Sequence, residues 1–82
     1  MKIYVPTELR HGRSGIEARS PSLHLTSHGL DEEEALHSLR RGIIAWCKGL
    51  ESRGKLNHII RDKKLKWLAE GDSISVELER LN

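Results

Sequence analysis

The sequence predicts an α+β domain: a small antiparallel sheet with a helix packed on one face, in the element order β-β-β-α-(α)-β. Three observations lead there. Apolar residues alternate with polar ones before residue 30 and again after residue 73, the period of half-buried strands. Between these stretches, apolar residues recur at steps of three and four, as on one face of a helix. The helical stretch also opens with a sharp start signal at Asp31.

The first strand is carried by Ile3, Val5, Thr7 and Leu9, alternating with Lys2, Tyr4, Pro6 and Glu8. Pro6 has no N–H for a ladder, so its nitrogen must face solvent or a bulge. His11, Gly12, Arg13, Ser14 and Gly15 read as a loop, with glycines that allow positive φ. Ile16, Ala18 and Ser20 give a second alternation, and Leu23 with Leu25 a third, separated by Pro21 and Ser22. Three short strands with short turns form an antiparallel meander most simply.

The helix start follows from Asp31 as N-cap and Glu34 three residues later, with Glu32 and Glu33 placing negative charge at the positive end of the helix dipole. Leu36, Leu39, Ile43, Trp46, Cys47 and Leu50 form the apolar stripe, opposite His37, Arg41 and Lys48. Gly42 within that pattern marks either a close packing contact or a tolerated defect, and Gly54 is the expected stop. Leu56, Ile59 and Ile60 continue a helical rhythm for two turns. Leu65, Trp67 and Ala69 fit either a short extended segment or the tail of that second helix. Glu70 to Ser73 read as a turn, and Ile74, Val76 and Leu78 as a final strand.

The chain of 82 residues suits a single domain spanning residues 1–82. Its core must be small, since 37% of residues are hydrophobic, Phe is absent, and Tyr4, Trp46 and Trp67 are the only aromatics. A thin core favours self-association, so a homo-oligomer is expected. The net charge of +2 is too small to imply nucleic acid by itself. Cys47, the single cysteine, excludes an internal disulfide and a CxxC motif, which fits a reducing, cytoplasmic setting. The N-terminus lacks the apolar region of a secretory signal, and no stretch is apolar enough to span a membrane.

Gly15, Pro21, Leu23, Thr26, Gly29, Asp31, Glu33, Glu34, Ala35 and Leu36, within the stretch PSLHLTSHGLDEEEAL and the glycine-led strand before it, resemble the strand, corner and capped helix of HicB-like antitoxin domains. The resemblance runs from Lys2 to about Leu50; His24 and Leu25 stand where the family often has a Pro-Gly-Cys corner. It implies a truncated RNase H-like fold without nuclease activity; many members continue into a DNA-binding domain, and because this sequence stops at Asn82 a short form without one is expected. It also implies an interaction module that occludes a small basic mRNA-cleaving toxin. The meander-plus-helix layout resembles double-stranded RNA-binding domains as well, which makes an RNA-binding module the alternative.

The partner-facing surface is expected at the strand-to-helix corner, on Glu17, Arg19, His24, Thr26 and His28. The helix stripe is needed for the core, whereas His24, Thr26 and His28 should alternate onto the opposite, exposed face. The nucleic-acid alternative rests on Arg61, Lys63, Lys64 and Lys66 with Trp67 alongside, cations for phosphate and a ring for stacking; its plainer reading is a solvated helix end with Trp67 in the core. No catalytic, cofactor or metal site is expected. His24 and His28 on a strand would lie roughly 13 Å apart, too far for one ion. Glu8, Glu34 and Asp72 have nothing that brings them together, and Cys47 on the apolar stripe reads as a buried inert thiol.

Overall fold

The computed structural model describes residues 1–82. Seven elements follow in the order β1 (Lys2–Gly12), β2 (Gly15–Ser20), β3 (Leu25–Gly29), α1 (Glu32–Ser52), α2 (Leu56–Asp62), β4 (Lys66–Leu68) and β5 (Ser75–Arg80). The five strands form one sheet, and α1 lies across β2, β3 and β5. No helix is long and apolar enough to cross a membrane.

The sheet is antiparallel except at β5, which runs parallel to β1 from Lys2↔Ser75 to Thr7↔Arg80. Chain geometry accounts for the exception. After the meander, the 21 residues of α1 carry the chain back by about 31 Å, so β5 starts beside Lys2 and travels in the same direction as β1. The segment 66–68, open between strand and helix tail in the sequence, is a three-residue strand antiparallel to β1 at Lys2–Tyr4. Because Lys2, Ile3 and Tyr4 pair with both β4 and β5, these two strands flank opposite edges of β1.

Pro6 finds its place through the same arrangement. The Thr7 carbonyl accepts from Leu81 N–H, and the Asn82 carboxamide bonds both the N–H and the C=O of Leu9. Odd-numbered residues of β1 therefore direct their backbone groups toward the β5 edge, and even-numbered ones toward the other. That other edge is occupied by β4 at residues 2–4 and by β2 at residues 8–12. Pro6 falls in the gap between them, where a missing N–H breaks no ladder bond.

The alternating β1 residues Ile3, Val5, Thr7 and Leu9 all face α1 and are buried. Thr7 satisfies its hydroxyl on the Val5 carbonyl at 3.0 Å. From α1 come Ala35, Leu39, Ile43, Cys47 and Leu50. Leu36 and Trp46, expected in the stripe, are only partly buried and pack at its margin. Leu56 and Ile60 of α2, with Ile74 and Val76, complete the core. Gly42 would meet nothing with an added Cβ, so it is a tolerated glycine on an open helix face and not a packing contact.

Gly29, by contrast, is required. A Cβ there would lie 2.9 Å from Ala35 Cα, because the start of α1 rests directly on the end of β3. The cap that starts α1 forms on Asp31 as expected, with Glu34 N–H donating to Asp31 Oδ1 at 2.8 Å, but Glu34 Oε1 reaches one residue further back than a capping box and accepts from Leu30 N–H. Glu32 in the first turn contacts His11 of β1 at 2.9 Å and Arg80 of β5 at 3.4 Å, tying the helix start to both strands.

Both helices end in the same closure. After α1, Gly54 N–H donates to Glu51 O and Lys55 N–H to Leu50 O. After α2, Lys64 N–H donates to Arg61 O and Leu65 N–H to Ile60 O. This paired pattern places one residue in the left-handed region: Gly54 at φ 67° in the first case and Lys64 at φ 55° in the second.

Candidate interaction surfaces

No helix covers the face of the sheet turned away from α1. Since Ala18 and Ser20 of β2 are buried toward α1, the alternation of the strand directs Glu17 and Arg19 to this bare face. The strand register then builds two rows across β1, β2 and β3: Glu8, Arg19 and Thr26 in one, Arg10, Glu17 and His28 in the next. Four of the five residues expected at the partner-facing surface thus stand together. His28 Nε2 lies 3.5 Å from Glu17 Oε2, whereas Glu8, Arg10 and Arg19 make no ion pair.

His24 is the exception. It ends the four-residue connection Pro21–His24 with φ 55°, before β3 begins at Leu25. A residue in the left-handed region breaks the strand period, so His24 does not continue the Thr26 and His28 row. Its position suits a turn, where histidine is tolerated better than most side chains at positive φ. Leu23, read as part of the strand, is instead a buried turn residue whose N–H donates to Ser20 Oγ.

The other half of the bare face, around β1, β4 and β5, is neutralised internally. Lys2 pairs with Glu77 at 3.4 Å and Lys66 with Glu79 at 3.5 Å. Both ammonium groups also approach the Tyr4 ring, 5.6 and 5.9 Å from its centroid. The hydrogen bond to the Glu77 carboxylate, with its charge, raises the Lys2 pKa above the usual lysine value. The even-numbered alternation of β1 already places Lys2 and Tyr4 on one face, but their partners on β5 depend on the parallel register.

The basic run after α2 is divided by the fold. Arg61 and Lys64 line a groove of about 410 Å³ with Asn57, Ile60, Leu65 and Trp67. Lys66 points to the bare face, toward Glu79, and Lys63 does not line the groove. Trp67 lies outside the core and is 49% exposed. Asn57, absent from the expected basic run, stands one helical turn before Arg61 on α2 and joins Arg61 and Lys64 in the lining.

Glu8, Glu34 and Asp72 stand on β1, in the first turn of α1 and in the β4–β5 connection. Cys47 is buried, and burial pushes its thiol up to about 11. No family model, curated protein or solved structure gives a significant match to this chain.

Proposed function

We infer that the domain is a non-enzymatic interaction module that holds a protein partner against the β1–β2–β3 half of its bare sheet face. The observation that carries this reading is the pair of rows there. Glu8, Arg10 and Arg19 are left without ion-pair partners on a face that no helix covers, while the neighbouring half pairs its own charges. Unpaired charges of both signs in a fixed register select a partner of complementary pattern more than they add raw affinity. The resemblance of the corner and capped helix to HicB-like domains suggests the partner class, a small basic mRNA-cleaving toxin in the cytoplasm, and the role of occluding it.

The test is calorimetric titration with the product of the adjacent gene. Replacing Arg19 and His28 together by Ala should weaken the complex at least tenfold while leaving the thermal midpoint nearly unchanged, because both side chains stand outside the core. An unaltered affinity in that variant would show that the bare face is not the contact surface.

A further inference from the structure

We propose that the groove between α2 and β4 is a binding site for single-stranded RNA, separate from the bare sheet face. Four observations converge on it. Trp67 is held by a three-residue strand and is 49% exposed as a residue, and a half-exposed tryptophan beside cations is a stacking platform for a base. Arg61 and Lys64 line the same groove and make no ion pair, so both are free for phosphate.

Charge is also concentrated here. Residues 53–68 carry Arg53, Lys55, Arg61, Lys63, Lys64 and Lys66 against Asp62 alone, a net +5, of which Lys66 is turned to the bare face and paired with Glu79. The remaining residues hold eight basic and eleven acidic side chains, a net −3. The weak overall charge thus conceals a strongly basic end on an otherwise acidic molecule. A polyanion approaching it is drawn to α2 and its flanks.

The fourth observation is the backbone at Lys64. It occupies the left-handed position of the α2 closure, φ 55°, which the equivalent closure of α1 gives to Gly54. A side chain at that position costs stability relative to glycine. A lysine there points to a demand other than folding, and the side chain lines the groove.

RNA is the occupant these groups fit. Asn57 is the one neutral polar side chain in the lining, and a carboxamide both donates and accepts, as a ribose 2′-hydroxyl does. The room, about 410 Å³, accommodates one or two nucleotides. An acidic peptide would satisfy Arg61 and Lys64 but leave the Trp67 ring unused.

The probe is a fluorescein-labelled eight-nucleotide oligouridylate, followed by anisotropy and by quenching of tryptophan emission. With Arg61 and Lys64 each neutralising a phosphate, log K should fall against log salt with a slope of about −1.4. Trp67→Ala should weaken binding about tenfold, and Trp67→Phe should restore part of it. Lys64→Gly gives the sharpest separation. It should raise the thermal midpoint by about 5 °C while lowering affinity and reducing the slope to about −0.7. Oligodeoxyuridylate of equal length should bind more weakly, and Asn57→Ala should erase that difference. Unchanged binding in Lys64→Gly or in a folded Trp67→Ala would overturn the site. So would equal competition by oligoglutamate of matched charge, and equal affinity for the deoxy probe would overturn the assignment to RNA.

Discussion

The two helices of this domain are built to different standards. In α1, Asp31 caps the first turn, Glu32, Glu33 and Glu34 complement the dipole, five residues face the core, and glycine occupies the left-handed position after the last turn. In α2, no side chain caps the start, no acidic residue stands in the first turn, only Leu56 and Ile60 are buried, and Lys64 occupies the left-handed position. A seven-residue helix of that kind is not stable alone. Local preference specifies α1, whereas α2 exists because Leu56 and Ile60 are buried against the core. Freed from specifying its own helix, the α2 surface can carry residues chosen for contact, such as Arg61, Lys64 and the neighbouring Trp67.

Removing the anchor that α2 depends on should give the largest effect. Ile60 is 4% exposed, and Ile60→Ala should cost about 2–5 kcal/mol. Hydrogen exchange should show protection lost first at residues 56–62 while α1 stays protected. Protection lost evenly along both helices would mean that α2 is as autonomous as α1.

A smaller effect, of about 1 kcal/mol, is expected from making the two closures alike. Gly54→Lys places at the end of α1 the side chain that α2 tolerates at its own, and should lower stability by about that amount in a denaturant titration. No loss in that variant would indicate that lysine is not disfavoured at this position, and would remove the contrast with Lys64.

The smallest effect at neutral pH concerns Cys47, on the buried side of α1. Burial raises its thiol from 9.0 to about 11, so folding favours the protonated form. The sign follows from linkage: this contribution to stability is complete below pH 9 and is lost as pH rises to about 11, where the folded thiol also ionises. Wild-type protein should therefore lose stability relative to Cys47→Ala across that window, and native Cys47 should resist iodoacetamide at pH 8. Prompt alkylation of the folded protein would show that the thiol is accessible and that the helix packs less tightly than its burial indicates.

How much of the candidate surface was legible follows the same division. Glu17, Arg19, Thr26 and His28 could be placed on one face because a strand turns its side chains over every residue. His24 could not, since a turn residue at positive φ resets that period and nothing in Leu23-His24-Leu25 announces it. Trp67 was equally open, because an aromatic on a three-residue strand shows no periodicity.

The α+β class, the inward face of β1, the Asp31 cap and the Gly54 stop were all determined by the sequence alone. Each depends on neighbours within about four residues, where side-chain period and backbone preference act directly. Only the tertiary structure decided the parallel pairing of β5 with β1, the gap that accommodates Pro6, the requirement for glycine at position 29 and the separation of Lys66 from Arg61 and Lys64. These depend on where α1 returns the chain and on which edge each strand joins, contacts between residues far apart in sequence that no local pattern encodes.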